Sequence, residues 1–129
     1  MKTATKKFVA SRNKDIAHDE AVAKRNASEA AQFRAEYSLL SVQIERAEDA
    51  LCNAKDELRT AEPEVREAIT AMIADLRRKL FALDTEAKNL RASIVCADMI
   101  AEDYQRRAEW NRKFVANYVR EETTHRAEF

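Results

Sequence analysis

The chain has 129 residues with no glycine, one proline and 36% charged residues, in a formal balance of 23 Lys and Arg against 23 Asp and Glu. The absence of glycine excludes phosphate-cradling glycine loops and nucleophile elbows, and removes the residue that normally supplies tight turns. The balance of charge favours neither nucleic acid nor an acidic partner for the chain as a whole.

Abundant Ala, Glu, Lys, Arg and Leu match the composition of long helices, and an aromatic content of 7% leaves little material for a sheet core. One domain is expected. Residues 1–11 carry Lys2, Lys6 and Lys7 with no acidic residue before Asp15, and read as a basic, frayed N-terminal arm. The segment has charge but no apolar run, so it does not read as a secretory signal, and a cytoplasmic setting is expected.

A helical pattern runs from about residue 12, where the inward positions Ile16, Asp19, Ala23, Asn26 and Ala30 are small or polar. From Phe33 the stripe is continuous through Tyr37, Leu40, Ile44, Ala47, Leu51, Ala54, Leu58, Ala61 and Val65, in steps of four and three residues. Large residues alternating with alanine let two helices approach closely. Pro63 interrupts this pattern and suits the first turn of a second helix, with Thr60 or Glu62 as its N-cap. Glu62, Glu64 and Glu67 suit the positive end of that helix dipole.

The second helix carries the longest stripe of the chain. It reads Ile69, Ile73, Leu76, Leu80, Leu83, Ala87, Leu90, Ile94, Ala97, Ala101, Tyr104, Ala108, Asn111, Val115 and Tyr118. A mean step of 3.5 residues holds these side chains on one slowly winding line that must be buried against another helix. The expected fold is therefore all-α: two long helices in an antiparallel coiled-coil hairpin over 12–121, turning near Pro63, with a C-terminal tail at 122–129. Facing positions should add to about 124, pairing Leu40 with Leu83 and Phe33 with Leu90. A single kinked helix that oligomerises in parallel is the alternative.

No enzyme motif is present, and no catalytic residue, metal ligand or cofactor is assigned. His18 and His125 lack a helical partner at four residues and read as solvated; Cys52 and Cys96 read as isolated thiols, buried or inert. The charges are unevenly spread. Glu45 to Ala68 holds eight acidic against four basic residues, whereas Tyr104 to Arg120 holds Arg106, Arg107, Arg112, Lys113 and Arg120 against Glu109 alone. An acidic tip and a basic open end are expected.

That basic end also contains Tyr104, Trp110, Phe114 and Tyr118, and Trp110 and Phe114 flank the stripe, widening the apolar face beyond what one partner helix covers. Aromatic and arginine anchors dominate protein interfaces, so Tyr104, Arg106, Arg107, Trp110, Arg112, Lys113, Phe114, Tyr118 and Arg120 form the expected partner-binding set. The bland alternative is that these aromatics fill the gap beside a weak first helix. A second off-stripe patch of Val95, Met99 and Ile100 around Ile94 points to self-association, with hairpins pairing into a four-helix bundle. The resulting expectation is a non-enzymatic protein that binds a larger protein or assembly by occupancy, as inhibitor, adaptor or scaffold, with no membrane partner. A nucleic-acid binder that uses the basic aromatic end is the rival.

Overall fold

A computed structural model describes residues 2–127, with side chains through Thr124. It contains two helices, α1 at Thr3–Thr60 and α2 at Pro63–Ala127, joined by Ala61 and Glu62. They pack against one another as an all-α hairpin. Among the described residues no helix is long and apolar enough to cross a membrane.

The turn resolves the choice of N-cap. The Glu62 carbonyl accepts hydrogen bonds from the Val65 and Arg66 amides at 3.1 and 3.2 Å, so Glu62 is the N-cap and Pro63 the first helical residue. Proline costs least there, because its missing N–H would have had no intrahelical acceptor. Thr60 instead closes α1, with Arg59 in the last turn beside Asp56 at 3.6 Å. Val65 is thereby moved off the first stripe: it sits in the first turn of α2 and is half exposed. Replacing Pro63 by alanine should preserve helix content by circular dichroism and shift unfolding by less than about 1 kcal/mol, since the substitution acts mainly on the unfolded chain.

The chain divides into two compact units, and both helices run through both of them. In the unit formed by 31–94, Leu40, Ala47, Ala54, Ile73 and Ala87 are buried, and the intervening stripe residues are half-buried. Leu83 and Leu90 are among the latter. Across the helices the Arg91 guanidinium lies 5.7 Å from the centre of the Tyr37 ring.

In the unit formed by 1–30 and 95–129, the buried apolar positions are Ile16, Ala23, Ala30, Ala97 and Ala108. Arg12 donates to Asn111 Oδ1 at 3.1 Å, Phe8 meets Phe114 at 6.2 Å between ring centres, and Arg107 reaches Asp19 at 3.8 Å. The numbers of these facing pairs add to 122–126, around the expected value of about 124, so the helices are antiparallel within one chain. A lone kinked helix is excluded. The polar stripe residues part ways here: Asn111 is held by Arg12 across the helices, whereas Asn26 donates to the Val22 carbonyl of its own helix at 2.9 Å.

Both ends of the hairpin differ from expectation. Residues 3–11 are helical, and Thr5 is buried there with Phe8 and Val9 half-buried. The four-and-three stepping of the seam continues upstream through Thr5, Val9, Arg12 and Ile16, so the arm has a face to bury and packs. At the other end α2 continues to Ala127, past the expected limit at 121. Tyr118 is 38% exposed while Val119 is half-buried, because a helix of 3.6 residues per turn drifts off a 3.5-residue line. His125 lies outside the described side chains.

Candidate functional site

The site builds up from one cation. Arg12 projects from α1 between two rings, 5.4 Å from the centre of Phe8 and 5.2 Å from that of Phe114, while its guanidinium donates to Asn111. An arginine fixed in this way presents its plane to π faces and gives up its fork to the amide oxygen. Phe8 in turn covers Tyr118, at 4.7 Å between ring centres. On α2, Trp110 and Phe114 are one helical turn apart and stack at 5.3 Å with planes 16° apart.

The outcome is a graded surface. Phe114 and Tyr118 are 36% and 38% exposed, half sheltered by Phe8 and Arg12, whereas Trp110 is 60% exposed. The bland reading accounts for the sheltered rings. It leaves the outer face of the tryptophan uncovered, held flat by the stack behind it. Phe8 was missed from sequence because residues 1–11 read as a frayed arm, and Arg12 because the inward stripe was read only from Ile16; the continuation of the seam through Thr5 and Val9 was the available signal.

The arginines expected beside these rings have other commitments. Arg107 pairs with the buried Asp19 and lies 4.8 Å from the centre of the Tyr104 ring. Arg112 pairs with Glu20, Arg106 approaches Glu102 at 3.8 Å, and Arg120 donates to Asn117 at 3.1 Å. Lys113 is exposed. The basic end is therefore largely neutralised: counting α2 alone omitted the carboxylates that antiparallel α1 brings alongside. The unit of 1–30 and 95–129 holds thirteen Lys and Arg against eleven Asp and Glu, and that of 31–94 holds ten against twelve.

Helical advance of 100° per residue sets the expected binding residues on different flanks of the seam. Phe114, Tyr118 and Arg107 lie on one flank and Arg112 on the other, with Trp110 and Arg106, one turn apart, on the outer face between them. Arg106 and Arg112 line an open groove with Ala23, Lys24, Ala27 and Glu102. In the expected self-association patch, Val95, Met99 and Ile100 are exposed, but Ile94 is half-buried in the seam and takes no part in a surface. The most exposed large apolar side chains are Phe81 at 76% and Leu39 at 68%, both off-seam residues next to seam leucines. Cys52 and Cys96 are free and exposed, which corrects the buried reading. Among the described residues no cluster of three or more His, Cys, Asp or Glu is placed to hold a metal ion.

Comparison with family models, with curated proteins and with solved structures finds no match for the chain.

Proposed function

We propose that this chain is a non-enzymatic helical hairpin that binds a larger protein through the face centred on Trp110, acting by occupancy as an inhibitor, adaptor or scaffold. The observation that carries the reading is the stack of Trp110 on Phe114, exposed on its outer side and braced from behind by Phe8 and Arg12. A rigid tryptophan offers large contact area at low entropic cost, and rings already held in place lose little freedom on binding. Self-association is the second part of the reading, supported by the exposure of Val95, Met99 and Ile100.

Trp110 is the only tryptophan, so its emission reports directly on this face. A protein retained on the immobilised chain should shift that emission to the blue. Trp110→Ala should weaken retention by about thirtyfold or more, the effect of an anchor worth about 2 kcal/mol, with little dependence on salt. If binding instead falls steeply with salt and fails on exchanging Lys113 and Arg120 for glutamate while Trp110→Ala is tolerated, the ligand is nucleic acid and the reading is wrong.

A further inference from the structure

Within the unit of 1–30 and 95–129, the flank that carries Phe114 shows a second stripe on each helix. On α2 it reads Cys96, Ile100, Asp103, Arg107, Trp110 and Phe114, in steps of four and three residues, with Trp110 at its outer edge. On α1 it reads Phe8, Ser11, Asp15, His18, Val22 and Arg25 in the same stepping. Such stepping holds each set on one line, about a quarter turn from the seam, and the contact of Phe8 with Phe114 puts both lines on the same side. Their charges are not consumed within the chain. Asp15, Arg25 and Asp103 are exposed and make no ion pair among the described residues, and Arg107, which reaches Asp19 on its inner side, keeps a side chain 62% accessible.

Each line complements itself when reversed. Paired from its two ends inward, the α2 line opposes Cys96 to Phe114, Ile100 to Trp110 and Asp103 to Arg107; on α1, Asp15 opposes Arg25 and His18 opposes Val22. The two midpoints, between Asp103 and Arg107 and between His18 and Val22, are level in the register where facing residues add to 122–126.

We propose that a second copy of this chain docks on this flank, antiparallel, about a two-fold axis that crosses the helices at that level. The axis lays α2 on α2 and α1 on α1. Ile100 then packs on Trp110 of the second copy, Asp15 meets its Arg25, and Asp103 meets its Arg107. The symmetry gives each contact twice. Other arrangements lose this match. Sliding one copy by a heptad sets Ile100 against Asp103, or Asp103 against Phe114, and buries a charge on an apolar side chain. A parallel pair, with α1 on α2, sets Val22 against Asp103 and Arg25 against Ile100. Because Trp110 lies inside the antiparallel contact, the second copy and the larger protein exclude one another.

This inference rests on the self-association reading. Asp15 and Arg25 stand about 15 Å apart along one helix, too far to pair within a chain, so coupling between them reports a contact between copies. The test is sedimentation velocity over a concentration series on the wild type, Asp15→Lys, Arg25→Glu and an equimolar mixture of the two variants, with helix content checked for each. The expected result is a wild-type dimer and a dissociation constant raised about tenfold or more in each variant alone. The mixture should dimerise within about threefold of the wild type, since every facing pair in the mixed dimer is again of opposite charge. Trp110 emission should shift to the red as the wild-type dimer is diluted apart. Variants that dimerise like the wild type, weakened variants that do not recover on mixing, or an emission that ignores dilution overturn this interface and leave self-association standing. A wild-type chain that stays monomeric overturns both, without touching the larger protein's claim on Trp110.

Discussion

Arg107→Ala should lower stability by about 2 kcal/mol, while Asp19→Ala should leave it at or above that of the wild type. Asp19 is 3% exposed and occupies a seam position between Ile16 and Ala23, so its carboxylate gives up most of its hydration when the helices close. Arg107 compensates at 3.8 Å from a more exposed location, its own side chain 62% accessible. Removing the arginine leaves a desolvated anion; removing the aspartate leaves a cation that water can reach, and replaces a poor helix former by the best one. The exposure of Arg107 keeps the expected cost below the range for fully buried pairs.

Chemical denaturation of both single variants and the double variant decides the point. Arg107→Ala should cost almost nothing once Asp19 is alanine, because the anion it served is gone. An Arg107→Ala effect of the same size in both backgrounds would show that the arginine acts through its contact with Tyr104, whose ring it covers.

The second large effect is steric. Ala108 is wholly buried, at the level of Ile16 on α1 by the register of that unit. A methyl group there lets the helix axes approach, and a larger side chain has no free volume to enter. Ala108→Leu should therefore cost about 2–3 kcal/mol. Ile16→Ala should cost a similar amount for the opposite reason, by opening a cavity. Combining them restores one large and one small side chain at that layer, so the double variant should be more stable than the sum of the single effects by at least about 1 kcal/mol. Strict additivity would mean that the two positions do not share a layer.

Most of the fold was legible in the four-and-three spacing. From Ile69 to Val115 every stripe residue is buried or half-buried, and so is every one from Ile16 to Ala61. The ends were harder to read. A seam that passes through Thr5, Val9 and Arg12 has a single aliphatic residue, too little to separate it from a solvated basic segment, although the spacing alone would have carried it. At Tyr118 the reverse happened: the helix has drifted so that Val119 takes the seam, and the Tyr118 ring, though it still meets Phe8, is 38% exposed.

The candidate site was legible in kind and wrong in detail for one reason. Trp110 and Phe114 announce themselves as off-stripe rings on a single helix. The company they keep depends on which residues of α1 lie alongside. Phe8 and Arg12 join them from about a hundred residues away in sequence, and Asp19 and Glu20 neutralise arginines that a count along α2 leaves free.

What the sequence by itself determined is therefore whatever repeats along one helix: the helical class, the buried stripe, the break at Pro63 and the antiparallel register that a two-residue connection imposes. Only the tertiary structure decided which charges meet. A charge takes its effect from distance across the seam, and that depends on rotational phase as well as on level, so Arg107 and Arg112, in one basic segment, go to Asp19 and Glu20 of α1, while Arg106 pairs with Glu102 of its own helix.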